Sequence, residues 1–125
     1  MSAAKTEFPK RTEELPRVLP LKWILHMIQQ ETGPSFQISQ LNLLLTIMDQ
    51  DGISYPDIMS HTGLPASTIS RNVKDLFIQG LVKIEVDPNN TRCHAARLTR
   101  KGGELKRGIQ EILSGNVIGP PRGVL

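Results

Sequence analysis

The chain has 125 residues, is 38% hydrophobic and carries a formal net charge of +3, the size and apolar content of one ordinary domain with its own core. Its single cysteine, Cys93, excludes an internal disulfide and any zinc site that needs two cysteine ligands from one chain, and points to a reducing, cytoplasmic setting. No apolar run reaches the roughly 18–20 residues that span a bilayer, and the opening MSAAKTEFPKRTEELPR lacks the apolar core of a signal peptide.

The charge is unevenly spread. Residues 1–63 hold five Lys/Arg against seven Asp/Glu, a net of −2, while residues 64–107 hold nine against four, a net of +5. A basic block of this kind is the electrostatic footprint of nucleic-acid binding.

Residues 1–16 mix Lys, Glu, Thr and Pro and read as a flexible arm. A helix is expected from about Arg17 or Pro20 to Glu31, stopped by Gly33-Pro34, with Leu21, Ile24, Leu25 and Ile28 as its apolar stripe. Trp23 and Met27 fall off that stripe, which gives the helix more apolar surface than one packing partner needs. Ser39 has the chemistry of an N-cap, with Ile38 and Leu43 spaced as a hydrophobic staple, for a second helix, QLNLLLTIMD, apolar nearly all round and therefore central. Asp51-Gly52 turns the chain and Ile53 starts a residue or two of strand. Ser54 then caps a short third helix, Tyr55 to His61, with Pro56 in its first turn.

The next helix follows the Thr62-Gly63-Leu64 turn. Ala66, Ile69, Val73, Leu76 and Phe77 form its apolar side, with Pro65 in the first turn and Gly80 at the C′ position. Ser67, Arg71 and Lys74 project opposite, flanked by Thr68, Ser70 and Asp75. Hydroxyls bond phosphates or bases, Arg pairs with a guanine edge and Lys neutralises phosphate, so this face suits a DNA major groove. Strand 81–86, the turn-rich Asp87-Pro88-Asn89-Asn90-Thr91-Arg92 and strand 93–98 complete a hairpin. A helix-turn-helix followed by a hairpin is a winged helix-turn-helix, mainly α with a small β-hairpin wing (α+β). Arg92 is placed to reach a neighbouring minor groove, where negative potential concentrates.

Thr99 is expected to cap a last helix, about Arg100 to Leu113, with Leu105, Ile109, Ile112 and Leu113 as its stripe. Arg100 and Lys101 in its first turn oppose the helix dipole, a local cost that phosphate contact would offset; Arg97 is a further phosphate candidate. Gly102, Gly103 and Gly108 make this helix intrinsically poor. Residues 114–125 are expected to be an irregular tail.

Enzyme chemistry finds no support. His26, His61 and His94 lie on separate elements, and neither a Walker phosphate loop nor a nucleophile elbow is present. No catalytic, cofactor or metal site is assigned. Cys93 has neighbours in Arg92 and His94 that could favour a thiolate, but no redox role is assigned to it. Trp23, His26, Met27 and Phe36 read as ordinary core, and no small-molecule effector is assigned.

The segments STISRNVKDLFIQGLV, DPNNTR and RLTRKG resemble the MarR family of winged-helix transcription regulators. Ser67-Thr68, Ser70-Arg71, Val73 and Leu76 match that family's recognition helix, Gly80-Leu81-Val82 its link, Asp87, Pro88 and Arg92 its wing, and Leu98-Thr99 with Gly102 the opening of its next helix. Asn90 and Thr91 depart from the acidic and basic residues the family often has there. The resemblance covers about residues 20–113. It implies sequence-specific binding of double-stranded DNA as a homodimer built from both chain ends. It also implies a recognition helix in the major groove, and an arginine in the minor groove. The family normally has a longer C-terminal helix, and Val117, Ile118, Val124 and Leu125 are expected to supply contact area instead. The alternative is a winged-helix module that docks on a protein such as a polymerase or replication factor through its basic face.

Overall fold

The computed structural model describes residues 15–115, with side chains from residue 19; the tail from 116 and most of the expected arm lie outside the described residues. Five helices and three strands follow one another: α1 (Leu15–Thr32), α2 (Ile38–Asp49), β1 (Ile53–Ser54), α3 (Tyr55–Thr62), α4 (Ala66–Ile78), β2 (Val82–Asp87), β3 (Asn90–Leu98) and α5 (Arg100–Leu113). The strands form one antiparallel sheet in the order β1-β3-β2. This is the winged-helix architecture expected from the sequence.

Helix α1 begins at Leu15, before the expected start, and runs through Pro20. Proline this close to the N-terminus forfeits one intrahelical bond, from its own missing N–H. The buried side of α1 differs from expectation. Ile24 and Ile28 are buried and Trp23 and Met27 pack against the core, whereas Leu21 and Leu25 are exposed. At 100° per residue, Trp23, Met27, Ile24 and Ile28 make one continuous arc, and Leu21 and Leu25 fall beyond its edge.

Helix α2 is capped by Gln37, not Ser39; the Gln37 N–H donates to Gln40 Oε1 at 3.0 Å. Ser39 lies inside the helix and its Oγ accepts from Asn72 Nδ2 at 3.5 Å. Leu43, Leu44, Ile47 and Met48 are fully or nearly buried at the centre of the fold. The helix is not buried all round, since Ile38 and Leu45 are exposed.

The local signals around α3 and α4 hold. Ser54 Oγ accepts the Asp57 N–H (3.3 Å), and Gly63 closes α3 at φ +72°. Gly80 takes φ +81° and its N–H bonds Phe77 O, while the Leu81 N–H reaches back to Leu76 O, both at 3.0 Å. This turn releases the chain from α4 straight into the sheet, as a left-handed glycine after a helix does. Pro65 is the N-cap of α4 and not its first helical residue. The buried face of α4 is Ile69, Asn72, Val73 and Leu76. Phe77, expected inside, is half-exposed, and Ala66 is exposed.

The sheet fixes the wing to the body. Ile53 pairs with Ala96 and Ser54 with Ala95, and the Gly52 N–H bonds Ala96 O at 2.9 Å. Asp51 Oδ1 accepts the Leu98 N–H at 2.8 Å. At the far end β3 begins at Asn90, so Arg92 stands on a strand and not in the loop. The register slips between Val86, opposite His94, and Asp87, opposite Asn90. That bulge leaves Thr91, Arg92 and Cys93 opposite no residue of β2 and increases the local twist.

Helix α5 is capped by Thr99, whose Oγ1 accepts the Gly102 N–H at 3.1 Å and donates to Gly80 O at 2.6 Å. Leu105, Ile109 and Ile112 are buried; Leu113 is exposed. Its glycines permit close approach. A Cβ on Gly102 would run into the Leu81 carbonyl, and one on Gly108 would meet Met27 Sδ at 2.9 Å.

Candidate nucleic-acid interface

Burying Ile69, Asn72, Val73 and Leu76 turns the opposite side of α4 outward. Ser67, Ser70, Arg71 and Lys74 are exposed and Thr68 is half-buried. The helix therefore presents the expected hydroxyls and cations as one stripe. Neither Arg71 nor Lys74 forms an ion pair or side-chain hydrogen bond with any described residue. The same holds for the Arg92 guanidinium; only its backbone N–H is engaged, donating to Asn90 Oδ1 at 3.1 Å. Asn89 N–H similarly donates to Asp87 Oδ1 (3.0 Å), so two side-chain-to-backbone turns shape the wing tip beside Arg92.

The other predicted cations are engaged within the fold. Arg97 Nε donates to Glu85 Oε1 at 3.0 Å, and its Nη1 lies 3.9 Å from Asp51 Oδ2. The Glu85 hydrogen bond, more than the nearby charges, raises the Arg97 guanidinium pKa still further. Lys101 Nζ reaches Glu31 Oε1 and Gln79 O, both at 3.0 Å. Arg100 pairs with Glu104 at 3.5 Å one turn along α5, on an open surface, where such pairs contribute little. Arg97 thus ties β2 and β3 to the Asp51-Gly52 turn, and Lys101 ties α5 to the ends of α1 and α4.

Two residues that sequence reasoning passed over sit behind the stripe. Asn72 is 3% exposed, the one buried polar side chain among the described residues. Gln79 Nε2 donates to the Thr32 carbonyl at 3.2 Å. Polar residues at α4 positions next to core positions were the available signal, masked by Phe77, which is apolar and lies one step off the core.

The wing also packs on α3. Tyr55 and His94 rings stand 5.6 Å apart, and Cys93 lies half-buried beside them. Burial raises the Tyr55 phenol pKa above its usual 10.0. His61 is held by Asp57 O (2.8 Å) and by Gln50 Nε2 (3.0 Å). No cluster of three metal-ligating side chains occurs among the described residues, and no helix among them is long and apolar enough to cross a membrane. On α1, Leu21 and Leu25 line a shallow apolar groove with Lys22, His26 and Gln29.

A family model described as the MarR family matches residues 32–92, from the end of α1 to Arg92 on the wing. No curated protein matches the chain by sequence. Among solved structures, the PcaV transcriptional regulator from Streptomyces coelicolor is 23% identical, with 85% of this chain and 77% of that one covered at a TM-score of 0.56. Reduced AbfR bound to DNA is 22% identical, with 85% and 73% covered and a TM-score of 0.59. MarR itself is 25% identical over 81% of this chain and 82% of its own, with a TM-score of 0.54. Matched over residues 32–92 by the family model, and sharing the architecture of MarR, the chain is similar to the MarR family of winged-helix transcription regulators.

Proposed function

We propose that the protein binds double-stranded DNA in a sequence-specific manner as a homodimer in the cytoplasm and thereby regulates transcription. The observation that carries this reading is that Arg71, Lys74 and Arg92 stand together on α4 and the wing without partners among the described residues, as Lys22, Lys106 and Arg107 do on α1 and α5, while Arg97 and Lys101 are paired within the fold. Leaving charges unpaired on a folded surface suits an external anion. In this reading α4 enters the major groove. Ser67, Thr68, Ser70 and Arg71 contact bases or phosphates there, and Lys74 contacts a phosphate. Arg92, displaced by the wing bulge, enters the adjacent minor groove. Arg100 is a further phosphate contact, whereas Arg97 and Lys101 act mainly by positioning the wing and α5.

The dimer reading rests on exposed apolar surface. Leu21 is 58% exposed, Leu25 38% and Leu113 68%, on the two terminal helices that pack together. A second subunit covering them removes this surface from water.

Binding to labelled duplexes from the region upstream of the protein's own coding sequence, and to unrelated duplexes, tests the reading, with sedimentation of the protein alone giving the subunit count. Preference for one duplex by a dimer supports it. Equal, weak binding to all duplexes, or no competition by DNA against an acidic protein surface, favours the docking-module alternative instead.

A further inference from the structure

The C-terminal ends of α1 and α4 meet beside the first turn of α5, and polar side chains knit them together. Lys101 Nζ lies 3.0 Å from Glu31 Oε1 at the end of α1 and donates to the Gln79 carbonyl at the end of α4, also at 3.0 Å. Gln79 Nε2 donates to the Thr32 carbonyl of α1 at 3.2 Å. Thr99 Oγ1 adds a 2.6 Å bond to Gly80 O.

Glu31 and Lys101 are each misplaced on their own helix. A carboxylate in the last turn of α1 and a cation in the first turn of α5 both oppose the helix dipole. Against each other they are complementary, and the ammonium also meets the carbonyl end of α4. Residues that break a local rule on two helices at once, and compensate each other, point to a role in joining them. Gln79 is similar. The Thr32 carbonyl requires its amide nitrogen, which leaves Oε1 buried and without a partner among the described residues. An unsatisfied buried acceptor costs stability. The Lys101 and Glu31 side chains are 47% and 37% exposed, so their pair contributes little to it. The seam is therefore better suited to fixing an angle than to holding the fold.

That angle relates two parts of the chain. Helix α4 packs on α2, α3 and β2, whereas α1 packs on α5. Apolar contact between the two parts is non-directional; the hydrogen bonds of the seam are directional. Thr68 lies eleven residues before Gln79, about 17 Å of helix. A rotation of about 10° at the seam therefore moves the outward stripe at the start of α4 by about 3 Å, nearly one base-pair step. We propose that Lys101 and Gln79 are positioning residues that hold α4 at one angle to the α1–α5 pair, and so set the half-site separation that a dimer of this chain accepts. A dimer reads two half-sites at a separation fixed by its own geometry, and the seam stands between the helices assigned to the dimer contact and the helix assigned to DNA.

The angle is a property of the single chain; its consequence for spacing rests on the dimeric DNA-binding reading above. Residual dipolar couplings of backbone N–H groups in the full-length protein, recorded without DNA, read the angle in monomer or dimer alike. In the parent, one alignment should fit α1, α4 and α5 together. In Lys101→Met and in Gln79→Met, α4 should need an alignment of its own. Lys101→Arg, which keeps a cation within reach of both partners, should retain the parent's fit. So should Lys106→Met, which removes an unpaired cation elsewhere on α5. DNA binding is then compared on the preferred duplex and on copies with the half-sites one base pair closer or farther. Lys101→Met should lower the preference for the original separation by about fivefold, the upper range for one such polar contact, while Lys101→Arg and Lys106→Met keep it. A single alignment that still fits Lys101→Met overturns the positioning role. An unchanged preference, equal weakening on all three duplexes, or the same loss in Lys106→Met overturns the spacing role. Separate alignments in a protein that binds no duplex leave the positioning role standing and refute the regulator reading alone.

Discussion

Two adjacent glycines in α5 should respond in opposite directions to the same substitution. A Cβ on Gly102 falls within contact of the Leu81 carbonyl oxygen and lies 3.1 Å from Leu98 Cδ2. The carbonyl cannot retreat freely, because it accepts the Thr99 N–H at 3.0 Å. Nor can Gly102 swing away without breaking the bond from its own N–H to Thr99 Oγ1. Overpacking of this kind costs about 1–3 kcal/mol. Alanine returns up to about 1 kcal/mol through its greater helix propensity, so Gly102→Ala should lose about 1–2 kcal/mol net. For a domain of this size that is a fall in Tm of about 5–10 °C. Gly103, one residue on, has nothing within 4 Å of a Cβ. Gly103→Ala should therefore keep the propensity gain and raise Tm by about 3–5 °C. Thermal unfolding of the two variants beside the parent, followed by far-ultraviolet circular dichroism, measures both. The same sign of change in both variants would refute the close approach of α5 to Leu81.

Thr99→Ala removes both the cap of α5 and the bond to Gly80 O, and should cost about 1–2 kcal/mol in urea unfolding, with Thr99→Ser close to neutral. Arg92→Ala should weaken DNA binding by about 1–3 kcal/mol in fluorescence anisotropy; no change would end the wing-contact role. The raised Tyr55 pKa means the folded protein keeps a phenol proton that the unfolded chain has already lost. Its contribution to stability is complete below pH 10 and declines as pH rises from there towards the folded pKa. Tyr55→Phe should remove that part of the alkaline decline in denaturation midpoints, and an unaltered decline would show that Tyr55 does not cause it.

The parts legible in the sequence were those set by local chemistry. Ser54 and Thr99 cap as their side chains allow, Gly80 takes the positive φ that ends α4, and the two strands flank a turn rich in Asp, Pro and Asn. The parts that were not legible depend on a partner distant in sequence. On α1, apolar residues surround much of the helix, so periodicity alone cannot choose between Leu21 with Leu25 and Trp23 with Met27; packing against α5 decides it. Asn72 is buried beside Ser39, 33 residues earlier, whose hydroxyl it meets at 3.5 Å, whereas Phe77 lies just outside the core arc. Arg97 reads as a surface cation until the fold brings Asp51 and Glu85 to it. Arg71, Lys74 and Arg92 emerge as candidates by contrast: the fold gives them no such partner among the described residues.

The central claim is that these three cations meet phosphates or a DNA groove while the paired ones hold the fold. It is tested most directly by the salt dependence of DNA affinity. The parent, Arg71→Ala/Lys74→Ala/Arg92→Ala and Arg97→Ala/Lys101→Ala are titrated with the same duplex across a salt series. The account predicts that the triple variant loses about 0.9 in log–log slope for each phosphate neutralised, about one to two per protomer from Lys74 and Arg71, together with the affinity that Arg92 gains in the minor groove. The double variant keeps nearly the parent's slope. An unchanged slope in the triple variant, or the larger loss in the double variant, would contradict it.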